Sequence, residues 1–163
     1  MSEQNEHKVE RPDWWPDGPW MTEPDKLNWK TEAGLPGMIV RNRSGALCGY
    51  VAVTKEHPLY RVEYSSGDWP DSPEGQIDVH GGLTYSAACR GSICHVPEPG
   101  EPDNVWWFGF DCAHCGDWTP AEMAPYLGSY RTMPGGREQY RDIEYVKREV
   151  ESLARQLAAL GSP

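Results

Sequence analysis

The chain has 163 residues, of which 38% are hydrophobic, and a formal net charge of −10. One domain fits this length, and a hydrophobic content that includes 8 Trp suits a buried core, which excludes a wholly disordered chain. The acidic charge disfavours nonspecific nucleic-acid binding, and the sequence contains neither a membrane-spanning apolar run nor an apolar secretory signal. We therefore expect an acidic, cytoplasmic, single-domain protein.

The N-terminal part of the chain is rich in proline and tryptophan. We expect residues 1–11 to be flexible and residues 12–163 to form a single α+β domain. Residues 12–36 contain four Trp among five Pro, a composition that prevents a regular helix and favours an extended segment. Because Trp side chains are commonly buried, this segment is predicted to lie as a strap on the core. The alternative is an exposed arm that binds a partner.

An antiparallel sheet is predicted between residues 38 and 112. Two apolar runs around a polar, Gly-containing turn predict a hairpin over residues 38–53. A short strand is predicted over residues 59–64. Alternating apolar residues predict another strand over residues 77–85, with a bulge or close backbone approach at its two glycines. The most apolar run, residues 105–110, is predicted to be a central strand.

The C-terminal part of the chain has the periodicity of an amphipathic helix. Apolar residues recur every three or four positions between Tyr140 and Leu160, which predicts a helix over about residues 138–160. We expect this helix to pack on one face of the sheet, and the alternative is that it forms a homodimer. A shorter helix is predicted to begin at Thr119-Pro120.

Four cysteines lie close together in the sequence and suggest one kind of metal site. Two pairs, Cys89 with Cys94 and Cys112 with Cys115, have a spacing that suits a structural zinc ion bound by four thiolates. Without a secretory signal, disulfides are not expected. The simpler alternative is that these residues are small, buried, free thiols.

Histidine and aspartate residues at two predicted strand ends suggest a different site. His80 lies in one strand, and Asp111, His114 and Asp117 follow the apolar strand. Imidazole and carboxylate ligands suit a divalent ion such as Zn or Mn, and an open coordination position would activate water.

In this hypothesis His80 and His114 are ligands, Asp111 is a ligand or general base, and Asp117 is a ligand or orients one. The structural alternative is that His114 and Asp117 make hydrogen bonds in a turn or at a helix start. A metal-free alternative makes Cys112 a nucleophile, with a neighbouring histidine as its base.

Two sequence motifs resemble a known family. The motifs are His80-Gly-Gly-Leu-Thr84 and Trp-Trp-Phe-Gly-Phe-Asp-Cys-Ala-His-Cys-Gly-Asp over residues 106–117. With them, residues 35–160 resemble a family of small uncharacterised proteins encoded by phages and prophages. The resemblance implies an accessory role in the cytoplasm of a host cell and no particular mechanism. Relatives often have a small residue in place of Cys115, which favours the His/Asp site over the four-cysteine site.

Two functions fit these observations. The first is a small metal-dependent hydrolase that acts on a nucleotide or another small molecule through His80, Asp111, His114 and Asp117. The second is a non-catalytic protein whose acidic surface blocks a basic host protein, for example a defence factor. From Glu56 to Glu122 there are twelve acidic residues and two basic ones, and Glu98, Glu101 and Asp103 are the expected contacts.

Overall fold

A five-stranded antiparallel sheet forms the centre of the fold, and one long helix packs against it. The computed structural model describes residues 7–95, 97, 99–121 and 139–161. In chain order, a 3₁₀ helix at Pro19–Met21 is followed by β1 (Lys26–Lys30), β2 (Pro36–Arg41), β3 (Leu47–Val53), α1 (Pro73–Gln76), β4 (Tyr85–Ala88), β5 (Trp106–Asp111) and α2 (Ile143–Gly161). The strand order is β1-β2-β3-β5-β4, and every neighbouring pair is antiparallel. The predicted α+β fold is therefore confirmed.

The hairpin and the central strand formed as the sequence predicted. β2 pairs with β3 from Gly37 opposite Val51 to Arg41 opposite Leu47. In the turn, the Asn42 side chain accepts hydrogen bonds from the backbone N–H groups of Ser44 and Ala46, a common way to close a short loop. β5 lies between β3 and β4.

Three predicted segments differ from the structure. The predicted strap contains β1, an edge strand that fits between Pro24 and Pro36 because no proline there removes a ladder hydrogen bond. Residues 59–64 form turns. Residues 77–84 form no strand, and their alternation arises because Ile77, Val79 and Leu83 are buried in the core without pairing to a neighbour.

The remainder of the predicted strap does cover the core. Trp20 is fully buried and stacks on Trp118, with ring centroids 5.1 Å apart, and Trp15 joins the same cluster. Trp14, by contrast, is 56% exposed. Residues 7–11 of the predicted flexible N terminus are described, and Arg11 is paired there with Asp25; residues 1–6 lie outside the described residues.

The C-terminal helix begins later than predicted, at Ile143. Gln139 pairs instead with Asp117 in an isolated bridge, and the Asp142 carboxylate accepts a hydrogen bond from the Tyr145 N–H near the helix start. The apolar stripe of α2 packs on the sheet and is buried there; its members are Val146, Val150, Leu153, Ala154 and Leu157. A homodimer through α2, the alternative prediction, would therefore have to use its other face.

Two further predictions concern helices. Pro120 and Ala121 are helical, and the rest of the short helix predicted to begin at Thr119-Pro120 lies outside the described residues. Within the described ranges, no helix combines the length and the apolar character that crossing a membrane requires.

Candidate metal centre

Three of the four predicted His/Asp residues come together in space. His80 belongs to the irregular segment before β4, and His114 and Asp117 belong to the loop after β5. One candidate ligand atom from each of the three lies within 4.8 Å of the others. The tertiary structure therefore forms a cluster of two imidazoles and one carboxylate.

The loop after β5 is held by hydrogen bonds of its own side chains and backbone. Asp111 Oδ1 accepts from the Ala113 N–H at 3.0 Å, and Asp117 Oδ2 accepts from the His114 N–H at 3.0 Å. The Asp117 N–H donates to the His114 carbonyl at 2.9 Å. Because Asp and Asn side chains readily close such turns, these residue types fix the relative position of His114 and Asp117.

A glycine allows the His80 segment to approach this loop. Gly81 has a φ of +70°, in the left-handed region that disfavours side chains. A Cβ at this position would lie 2.6 Å from His114 Nδ1, whereas a Cβ at Gly82 would meet nothing within 4 Å. The predicted close approach is therefore confirmed at Gly81.

Asp117 is the centre of the cluster, and its side chain is 1% exposed. Its two oxygens lie 2.9 and 2.8 Å from His80 Nε2, and Oδ1 also accepts from Arg141 Nε at 3.1 Å. A buried carboxylate needs such partners to offset its lost hydration. Asp117 is thus the residue that joins both histidines to the start of α2.

Asp111, the fourth residue of the predicted site, contacts His114. It is outside the three-residue cluster, and its carbonyl and Oδ1 lie 3.1 and 3.2 Å from His114 Nδ1. Because both neighbours are hydrogen-bond acceptors, Nδ1 carries the proton and Nε2 retains the lone pair that a metal needs. Asp117 supplies the carboxylate of the cluster and Asp111 contacts His114 from outside it, so the role of Asp111 as a ligand or general base stays a prediction.

Sequence reasoning missed two residues of this site, Tyr145 and Arg141. The Tyr145 hydroxyl lies 2.7 Å from His80 Nδ1, and the Arg141 guanidinium carbon lies 4.7 Å from the centre of the Tyr145 ring. The apolar periodicity read from the sequence does not include Tyr145, although the residue is partly buried and packs against the same core cluster as the stripe of α2.

The four-cysteine zinc site is not formed in the structure. Cys89 and Cys94 are joined to each other in a disulfide, contrary to the expectation that disulfides are absent. Cys115 is exposed and Cys112 is buried, and neither belongs to the metal-type cluster found among the described residues. The pairing arises because Arg90 and Ile93 form a bridge that brings Cys89 and Cys94 together across a tight turn.

The structure also disfavours Cys112 as a nucleophile. Burial, followed by the nearby Asp117 carboxylate, raises the pKa of the Cys112 thiol well above its usual range. A thiol nucleophile must be deprotonated, and reactive cysteines lie in electropositive, accessible surroundings. Cys112 is therefore a core residue.

Comparison with known proteins adds no relative. No protein-family model, curated protein or solved structure matches the chain. The resemblance to the phage family stays a prediction.

Proposed function

We propose that His80, His114 and Asp117 bind a divalent metal ion, Zn or Mn, and that this site hydrolyses a small molecule such as a nucleotide. The single observation that carries the proposal is the convergence of the three ligand atoms within 4.8 Å. Two imidazoles and one carboxylate are a ligand set used by catalytic metal sites that keep a coordination position open for water. The bound ion would supply Lewis acidity and lower the pKa of a bound water.

Each candidate ligand also has a partner that holds it in place. Tyr145 contacts His80, Asp111 contacts His114, and Arg141 contacts Asp117. Such outer contacts orient metal ligands and commonly contribute tenfold or more to metal affinity. They support a site whose geometry exists before an ion arrives.

The residues divide the work in a definite way. His80 Nε2 lies beside both carboxylate oxygens of Asp117, so the two residues would supply a nitrogen and an oxygen ligand to the ion. Asp111 contacts His114 Nδ1 through its carbonyl and Oδ1, so in this proposal it is a positioning residue that holds the His114 ring. Arg141 donates a hydrogen bond to the buried Asp117 carboxylate at 3.1 Å and holds it in place.

The first experiment measures metal content by elemental analysis of tag-free protein, after reconstitution with Zn or Mn and dialysis. We expect a stoichiometric ion in the parent and its loss in His114→Ala, a variant chosen because the His114 side chain is 34% exposed, so that we expect the fold to be kept. Asp78→Asn is the matched control, since Asp78 is exposed and lies two residues from His80. Unchanged metal content in His114→Ala, with a native circular dichroism spectrum, contradicts the proposal.

The second experiment concerns the reaction. The parent is incubated with a panel of nucleotides and phosphate esters, with and without a chelator. We expect hydrolysis that the chelator abolishes, that added Zn or Mn restores, and that His114→Ala lacks. Hydrolysis that survives the chelator in protein shown to be metal-free would exclude metal-dependent chemistry at this site.

A further inference from the structure

Two arginines lie beside the candidate metal centre and contact the same aromatic ring. The guanidinium carbon of Arg141 is 4.7 Å from the centre of the Tyr145 ring, and that of Arg148 is 5.9 Å from it. The hydroxyl of the same ring contacts His80. One aromatic side chain thus connects both guanidinium groups to the metal cluster.

Each of these guanidiniums has N–H donors without an acceptor among the described residues. Arg141 donates from Nε to Asp117 and from Nη1 to Gln139, which leaves Nη2 without a hydrogen-bond acceptor in residues 7–121 and 139–161 as far as they are described. Arg148 is exposed and makes no ion pair or hydrogen bond there. In a chain with a net charge of −10, two such donors at one place are unlike the surrounding surface.

We propose that Arg141 and Arg148 form the anion-binding part of this site, and that its substrate is a small molecule carrying a phosphate group. This inference rests on the proposed function. A guanidinium presents N–H donors in a planar fork that matches phosphate oxygens, and hydrogen bonds between two charged groups are the strong ones. Two guanidiniums and a divalent ion together suit a phosphate dianion better than a singly charged carboxylate.

The charge of the whole molecule limits the size of this ligand. Interactions between exposed charges are largely screened beyond about 8 Å at physiological salt. A single phosphate beside Arg141 and Arg148 therefore experiences these two groups and the few carboxylates next to them, which are Asp117 on Arg141 and Glu144 and Glu151 near Arg148. A long polyanion would also meet the acidic middle of the chain, which disfavours nucleic acid as the ligand.

The test uses the full chain loaded with Mn²⁺ and inorganic phosphate as the probe. Phosphate bound beside a paramagnetic ion gives a broadened ³¹P resonance, and titration gives its Kd. We expect Arg148→Gln to weaken phosphate binding about tenfold, the size expected for losing a hydrogen bond between charged groups. Arg155→Gln is the control, since Arg155 is an exposed arginine of the same helix seven residues further on.

The outcomes separate this inference from the proposed function. Equal phosphate affinity in Arg148→Gln and in the parent, or equal weakening by Arg155→Gln, overturns the inference while Mn²⁺ binding stands. Acetate that competes as well as phosphate overturns the choice of phosphate over a singly charged carboxylate. If elemental analysis shows no metal, the proposed function fails, and calorimetry of phosphate with metal-free protein then tests the arginines alone: weaker binding in Arg148→Gln supports their role, and no binding overturns it.

Discussion

At the scale of single residues, the candidate centre depends on one position where a side chain cannot fit. A Cβ at Gly81 would lie 2.6 Å from His114 Nδ1, while Gly82, with a φ of +81°, has open space around it. Both glycines have backbone conformations that other residues adopt at a cost of roughly 1–2 kcal/mol. Of the two, only at Gly81 would an added side chain also overlap with a candidate ligand, His114.

These two glycines provide a matched pair of variants. We expect Gly81→Ala to displace His114 and to lower metal affinity at least tenfold, because the outer contact from Asp111 is lost with it. We expect Gly82→Ala to lose a similar amount of stability, about 1–2 kcal/mol, and to keep its metal affinity. Metal titration and urea unfolding measure the two effects; equal metal affinity in both variants would falsify the placement of His114.

The free cysteines differ sharply in their surroundings. Cys115 is exposed, Cys112 is buried, and Cys48 is buried with a pKa raised to about 12 by loss of hydration. Because only the thiolate reacts, we expect a thiol reagent at pH 8 to modify Cys115 rapidly and the other two only after unfolding. Mass spectrometry counts the modified residues, with Cys115→Ser as the control. Rapid modification of Cys112 in folded protein would contradict its assignment to the core.

The sequence predicted the residue types of the site better than their roles. Residue identity indicated that His80, His114 and Asp117 were candidate ligands. It did not show which of Asp111 and Asp117 joins the cluster, since both are aspartates three residues from His114 in the sequence. The turn of residues 111–117 distinguishes the two aspartates. It brings the Asp117 carboxylate next to His80, whereas Asp111 contacts only His114 of the two histidines.

At the scale of elements, close contact between α2 and the sheet depends on glycine in β3. A Cβ at Gly49 would lie 2.5 Å from Phe110 Cζ and 2.7 Å from Val150 Cγ2. Both neighbours are buried core residues. Gly49 therefore leaves the space into which the Phe110 ring and the helix side chain pack.

This contact gives a prediction of coupled stability. We expect Gly49→Ala to destabilise the fold by about 1–3 kcal/mol through overpacking, and Val150→Ala to cost a similar amount through the cavity it leaves. The double variant should lose less than the sum of the two, because the smaller side chain at position 150 makes room for the added methyl group. Urea unfolding of the four proteins measures this coupling, and strictly additive losses would show that the two residues do not share the space.

The predicted helices and strands are confirmed where the period of the apolar residues matches the period of the element, and they are wrong where apolar residues are buried without forming that element. The stripe of α2 and the apolar run of β5 have the periods of their structures and were found. Apolar and polar residues alternate over residues 77–84 as they would in a strand. The alternation arises only because Ile77, Val79 and Leu83 are buried in the core. The sequence did not predict β1, because Pro24 and Pro36 lie close to its two ends. A segment with so many prolines was predicted to be extended and without regular structure.

At the scale of the whole molecule, a buried charge network joins parts of the chain that are far apart in sequence. The Arg41 side chain is fully buried and donates to Asp25 and to the Tyr140 hydroxyl. Glu23 accepts from that hydroxyl and from the N–H of Ile143, the first residue of α2. The network therefore connects the N-terminal segment, the sheet and the start of the long helix, which carries Tyr145.

This network predicts how stability depends on acid. Burial raises the pKa of Asp25, but hydrogen bonds from Arg11, the Val9 N–H and Arg41 outweigh it and lower the pKa below its usual value of 3.8. A carboxyl with a lowered pKa in the folded state stabilises the protein above that usual value, and the stabilisation disappears as the pH falls through the folded pKa.

Asp25→Asn tests this dependence. We expect it to cost about 3–5 kcal/mol at pH 7, because it leaves the buried Arg41 and the half-buried Arg11 with fewer partners, and to reduce the loss of stability as the pH is lowered from about 5 to 2. Urea unfolding across this range measures the slope, with Asp78→Asn as the exposed control. A slope identical to that of the parent would show that Asp25 does not contribute to acid sensitivity.

The acidic charge of the molecule also supports the alternative function, in which the protein binds a basic host protein. Of the expected contacts with a basic host protein, Glu101 pairs with Lys30 at 3.4 Å and Asp103 is exposed, while Glu98 lies outside the described residues. Binding that weakens strongly with added salt would support this alternative. It depends on net charge, a property that the sequence alone determines.

By itself, the sequence determined the composition of the core, the long amphipathic helix, the central strand, and the kinds of side chain available for chemistry. These follow from local periodicity and residue type, which do not require knowledge of distant contacts. Only the tertiary structure decided that His80 meets Asp117, that Tyr145 and Arg141 join them, and that Cys89 pairs with Cys94. The contacts of the site join segments up to 65 positions apart, as between His80 and Tyr145, and such distances are determined by how the loops and the helix pack on the sheet. The disulfide joins residues only five positions apart, and it depends on the conformation of the turn between them.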